Sequence, residues 1–258
     1  MHRLLVGMVL WGVMGAQPGL LAQAEEPWIE ASERFRSPHR PDSALAALDS
    51  GLLRAPTSYA LLWRASREAL SLGMTEDGDA RARHFAEAVD YGRRAIAVDS
   101  SRIEGRAWLS AALGRYALDQ GPRTRVQLAN EIFALASGVV ESDANNGVAQ
   151  HVLGQWHAEV LRAGRLTRFI ARRLLGGDTF AHASWDEAVL HLEAAVRAEP
   201  TALIHGLELA RVYLDVGRRE DALAELQRVL ALPDTEATDP QHRERARALL
   251  EQLLPPPP

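Results

Sequence analysis

Ala188, Leu192, Ala195 and Val196 recur 34 positions later as Ala222, Leu226, Val229 and Leu230. Apolar residues spaced in this way line one face of a helix. A 34-residue period leaves room for two such helices and the turns between them. One helical hairpin of that size cannot bury its apolar face alone, so hairpins of this kind must stack on their neighbours.

Composition agrees with a helical reading. The 258 residues are 47% hydrophobic and 24% charged, the balance of a globular chain. Alanine, leucine, arginine and glutamate outweigh β-branched residues, which favours helices over sheets. The prolines gather at segment ends and in the tail, leaving long stretches uninterrupted. All 29 basic residues are arginine, spread along the chain. That spread fits a coding bias better than a local need for guanidinium groups. A net charge of −5 argues against a general nucleic-acid binder. With no cysteine there is no thiol catalysis, disulfide, thiolate metal site or lipoprotein anchor.

The N-terminus reads as a processing signal. Arg3 is followed by an apolar run over residues 4–16, and Ala22-Gln23-Ala24 makes a small-x-small cleavage site before Glu25. The run is short for a membrane span. Residues 1–24 are therefore expected to be a signal peptide, and the chain to be exported as a soluble periplasmic or extracellular protein.

Residues 25–41 hold three prolines and mixed charge, and read as a lead-in rather than a core element. Asp42 reads as the N-cap of a helix carrying Ala44, Leu45, Leu48 and Leu52, with residues 59–72 as its partner, stopped by Gly73. Residues 80–98 follow, with Asp99-Ser100-Ser101 as the cap of a helix bearing Trp108, Leu109, Ala112 and Leu113. Residues 126–140 make the next helix, and Asn145 or Asn146 caps the one after it. The last helix, 240–254, is charged on one side and reads as a C-terminal cap; 255–258 is a polyproline tail. The sum is an all-α, tetratricopeptide-type helical-repeat solenoid over 42–254, built of antiparallel helix pairs in a superhelical stack.

One unit is too long. Leu153-Gly154 suits a first helix, but Ala188 follows Gly154 by 34 residues rather than 12, leaving 22 extra at roughly 163–184. This insertion contains GRLTRFIARRLLGG, a short helix between glycines. Leu166, Phe169, Ile170 and Leu174 share one face; Arg165, Arg168 and Arg172 share another. The arginines could meet acidic lipid headgroups or an acidic partner. The plainer reading packs the apolar face on the stack and leaves the arginines in water.

The run AQHVLGQWHAEV (149–160), the basic insertion, WDEAVLHLEAAVRAEP (185–200) and a closing repeat together resemble the regulator of microtubule dynamics family. So do ALLWRASREAL (60–70) and EGRAWLSAALG (104–114). His151, Leu153, Gly154 and Trp156 match that family's His-x-Leu-Gly-x-Trp pattern. The chain departs from it at His157, where cysteine is usual, and at Arg165-Leu166-Thr167, where a Leu-Ser-Trp-like run is common. The resemblance implies a repeat domain, covering about 42–235. In animal members that domain is associated with microtubules, organelle contact sites and phospholipid binding. A shared fold does not carry the cellular role with it.

Nothing in the chain spells out catalysis. His-Glu-x-x-His, a glycine-rich phosphate loop and a Gly-x-Ser-x-Gly elbow are all missing from the sequence. His151 and His157, six apart, do not share a helical face. For His151 the plainest role is a hydrogen bond locking two helices. Trp63, Trp108 and Trp156 read mainly as core, with a minority on the concave side. No enzyme, metal or cofactor is expected. The expected function is a protein-interaction scaffold that takes an unidentified protein or peptide in its concave groove. The alternative is a carrier of a phospholipid or other apolar ligand, docking on a membrane surface; nucleic acid is not expected as a partner. An open, polar-lined groove would suit the scaffold, and a continuous apolar tunnel the carrier.

Overall fold

A computed structural model describes residues 18–36 and 39–254. Among these residues are twelve α-helices, two short 3-10 turns and no strand. The helices form five hairpins and a closing helix. The hairpins are α1 (Pro18–Arg36) with α2 (Pro41–Leu52), α3 (Tyr59–Thr75) with α4 (Gly78–Val98), and α5 (Ile103–Tyr116) with α6 (Pro122–Ser142). They continue as α7 (Gly147–Arg162) with α9 (Trp185–Ala198), then α10 (Leu203–Asp215) with α11 (Arg219–Ala231), and end at α12 (Asp239–Leu253). The short α8 (Gly164–Leu174) and a 3-10 turn, Asp178–His182, lie between α7 and α9. The first helices α1, α3, α5, α7, α10 and α12 pack along one another as an inner layer, and the second helices form the outer layer.

The 34-residue recurrence is the seam between the last hairpins. Ala188, Leu192 and Ala195 on α9, and Ala222, Leu226 and Val229 on α11, are all fully buried. Each second helix thus turns the same three positions inward. Side chains close the helix starts: Ser58 accepts from the Leu61 amide, Asn146 from Ala149 and Ser184 from Asp186.

The structure corrects several sequence expectations. Residues 25–36 are not a lead-in but the second half of α1, whose Trp28 and Ile29 pack on the core and whose Ser32 is buried. This shifts the pairing by one helix: α2 is the second member of a hairpin with α1, and α3 opens the next. Pro27 sits inside α1 and Pro41 at the start of α2, where a missing amide hydrogen leaves no bond unmade, so neither proline marks a linker. Asp42 accordingly lies in the first turn of α2 instead of capping it.

Gly73 does not stop α3, which runs on to Thr75. A Cβ at Gly73 would lie 2.4 Å from Phe85 Cδ1, so the glycine is there for close packing of α3 on α4. Asp99 closes a turn by accepting from the Ser101 amide and hydroxyl, while Arg102 occupies the N-cap position of α5 without a side-chain capping bond. Of the processing signal and the tail, residues 1–17 and 255–258 lie outside the described residues.

Candidate binding groove

The inner helices enclose a groove of about 1310 Å³. Its wall carries many apolar side chains, among them Leu70 and Met74 on α3, Trp108 on α5, Ile132 on α6, and Val152 and Val160 on α7. Ile170, Ala171 and Leu175 from the α8 region and Phe180 from the 3-10 turn form one rim. Charged side chains on the wall fall into two groups: Arg36, Arg67, Glu68, Glu199 and Glu236 in one, and Arg115, Glu159, Arg162 and Arg211 in the other.

The superhelix turns far enough for its two ends to meet. Arg36 at the end of α1 donates to Glu236, just ahead of α12, at 2.5 Å. Arg36 also lies 3.6 Å from the buried Glu68 carboxylate of α3. Glu68 accepts from Arg67 at 2.7 Å, and Arg67 reaches Glu33 of α1 at 2.8 Å. Burial pushes the Glu68 pKa up, against the pull of Arg67 and Arg36. This network therefore ties α1, α3 and the segment before α12 into one wall.

The four motif residues divide by task. Leu153 is buried in the core. Gly154 lets α7 and α9 touch: a Cβ there would lie 2.5 Å from Leu192 Cγ and 3.1 Å from the Ala188 carbonyl oxygen. Trp156 donates its indole N–H to the Ala129 carbonyl at 2.8 Å, locking α7 on α6, and its ring lies 4.5 Å from that of Phe133. His151 makes no interhelical hydrogen bond; neither ring nitrogen has a partner among the described residues, although the side chain is buried. Its ring faces the groove, 4.9 Å from that of His205. Burial, with His205, Arg115 and His242 nearby, drives the His151 pKa well below its ordinary value, so the ring is neutral.

His157, on the other side of α7, stacks on His191 at 5.7 Å and accepts from the Ser184 amide through Nδ1. Burial and the neighbouring His191 and His182 lower its pKa to about 4. Among the described residues no group of three His, Asp or Glu side chains could hold a metal ion.

The insertion helix does not bury its apolar face on the stack. Phe169 is 59% exposed, Leu174 75% and Ile170 41%, while Ala171 is buried. The Leu166 side chain lies outside the described residues. Arg165 and Arg172 are exposed; Arg168 folds back to donate to the Leu161 carbonyl at 2.9 Å. Gly164 and Gly176 bracket the helix at φ +78 and +76, which lets the chain leave and re-enter the stack sharply. Of the three tryptophans, Trp108 and Trp156 contribute to the groove wall, and Trp63 lies beneath the Arg64 guanidinium at 4.2 Å. No local motif in the sequence points to Arg115, Arg36 or Glu236.

Stacked helical hairpins with an inner groove define a tetratricopeptide-type solenoid. The model for the regulator of microtubule dynamics proteins 1–3 matches residues 29–254. The chain belongs to that family. No curated protein matches it. Among solved structures, TTC0263, a thermophilic tetratricopeptide protein of Thermus thermophilus, is 19% identical with a TM-score of 0.62, over 88% of this chain and 99% of its own. MamA of Desulfovibrio magneticus RS-1 is 13% identical with a TM-score of 0.48, over 81% and 94%. The first of these likenesses supports the repeat fold.

Proposed function

We propose that this protein is a non-enzymatic binding protein whose groove takes an apolar segment of a protein partner in helical form. The observation that carries this reading is the apolar wall around about 1310 Å³, between ends held together by Arg36 and Glu236. That volume exceeds the roughly 300–1,000 Å³ typical of small-molecule pockets, so the ligand is larger than a metabolite. An extended peptide would need polar side chains along the wall to satisfy its backbone. The surface this groove exposes is mostly apolar. A helix satisfies its own backbone and presents only side chains, which suits an apolar channel.

A second reading has its own support. The enclosure of the groove, and the apolar lining that an open peptide scaffold would not require, also suit the acyl chains of a phospholipid. In that reading α8 is the membrane contact, with Phe169 and Leu174 entering the interface and Arg165 and Arg172 meeting acidic headgroups. Among the described residues no helix is long and apolar enough to cross a membrane.

Export through residues 1–24 belongs to the same proposal and rests on Arg3, the apolar run and Ala22-Gln23-Ala24. N-terminal sequencing of the protein recovered from its host tests it: Glu25 as first residue is the expected result, and an intact Met1 terminus contradicts it. For the groove, native mass spectrometry followed by lipid extraction separates the two readings. A stoichiometric phospholipid favours the carrier; a co-purifying polypeptide favours the helical segment.

A further inference from the structure

A second cavity, of about 300 Å³, adjoins the groove and shares Arg115, Gln155, Ile204 and Arg211 with it. Helices α5, α7, α10 and α12 converge there. Three arginines, Arg115, Arg211 and Arg245, line it against a single carboxylate, Glu208. Glu208 is already spent: one oxygen accepts from Arg162 at 2.9 Å and the other from Arg211 at 2.8 Å. Arg115 and Arg245 have neither ion pair nor hydrogen bond among the described residues.

His242 on α12 completes the wall. It is 2% exposed, and its buried Nδ1 has no partner, standing 3.8 Å from the Asp239 carboxylate, too far for a hydrogen bond. His151, with both ring nitrogens unpartnered, lies just inside the groove. Burial lowers the Arg115 pKa; Glu208 opposes this, and the Arg245 and Arg211 guanidiniums add to it. Arg115 is half-buried and unpaired beside ring nitrogens that are buried and unsatisfied, which is costly to leave without a ligand, while the exposed Arg245 adds a free cation at the rim.

We propose that this pocket binds an oxyanion, a carboxylate or phosphate group, through Arg115 and Arg245, with His242 at its back. Guanidinium groups match both anions through paired N–H bonds. Ile204, Leu207, Ala248 and Leu249 supply apolar walls beside the charge, and the wall shared with the groove places the two side by side. The site therefore suits the anionic end of a ligand whose apolar body lies in the groove, and in this respect rests on the acyl-chain reading of that groove.

The test is calorimetric titration of the full chain with dodecyl phosphate, dodecanoate, dodecanol and inorganic phosphate. One or both charged amphiphiles should bind at least about tenfold more tightly than dodecanol, the scale of one charge-assisted hydrogen bond. That advantage should vanish in Arg115→Gln and shrink in Arg245→Gln, whose exposed side chain can change without disturbing the fold. Inorganic phosphate binding as tightly as dodecyl phosphate would assign the pocket to a free anion. Equal binding of dodecanol and both charged chains would overturn the pocket and leave the groove standing. Failure of every chain to bind, dodecanol included, would count against an acyl-binding groove as well as the pocket.

Discussion

Arg36 and Glu236 stand two hundred positions apart in the chain and 2.5 Å apart in space. The pair joins the first inner helix to the segment that leads into the last, so the superhelix closes around its own groove. Both side chains are partly exposed, and an ion pair of this kind contributes about 0–1 kcal/mol. Its weight lies in geometry more than in stability. Glu236→Gln should lower Tm by no more than a few degrees, yet speed amide exchange across residues 235–238. Unchanged exchange there would show that the ends are held by other contacts.

Gly154 and Gly114 make a matched pair of substitutions. A Cβ at Gly154 would press on Leu192 and on α9 backbone, whereas one at Gly114 meets nothing within 4 Å. Gly154→Ala should destabilise by about 1–3 kcal/mol through overpacking. Gly114→Ala should be neutral, or stabilise by up to about 1 kcal/mol through helix propensity. Denaturant unfolding of both variants checks the contrast.

The indole of Trp156 makes a different kind of lock. Trp156→Phe keeps much of the ring packing against Phe133 but leaves the Ala129 carbonyl without its donor, at a cost of about 1–3 kcal/mol. The same unfolding measurement reads it, and a loss below about 0.5 kcal/mol would mean that water replaces the indole.

The buried histidines set a pH dependence. His151, His157 and His191 all have folded-state pKa values below the ordinary 6.5. A depressed histidine pKa means that the unfolded chain binds more protons, so stability is full above about 6.5 and falls as the pH drops. For His157 the loss runs from about 6.5 down to about 4. Tm should therefore decline between about pH 7 and pH 5, before most carboxylates titrate. His157→Asn should flatten that decline; an unchanged slope would contradict the assignment.

The insertion helix offers a test without a folding penalty. Phe169 and Leu174 are exposed, so Phe169→Ser with Leu174→Ser should leave Tm unchanged. If α8 is a membrane contact, the same double variant, and Arg165→Glu with Arg172→Glu, should lose binding to vesicles of acidic phospholipid. Retained binding in both variants would remove α8 from the proposal.

Much of the fold is legible because local periodicity reports it. The recurrence of Leu192 at Leu226 marks positions buried by the stack, and Asn146 and Ser184 signal helix starts through their own side chains. The first helix is hidden because Pro27 and Pro41 read as breaks, although one is tolerated inside α1 and the other starts α2. Gly73 is ambiguous in sequence because a helix stop and a close crossing both favour glycine. The groove is only partly legible. His151 stands out through its motif, but Arg115, Arg211 and Arg245 come from three helices, and only the superhelical turn brings them together.

The central claim is that the apolar groove is where the ligand binds. A photo-crosslinking residue at position 152, on the groove wall, should capture the ligand, whereas one at exposed Leu190 on the outer helix α9 should not. Capture from position 152 alone, as a polypeptide or as a lipid, is the result this account predicts. Equal capture from both positions, or capture from position 190 alone, would contradict it.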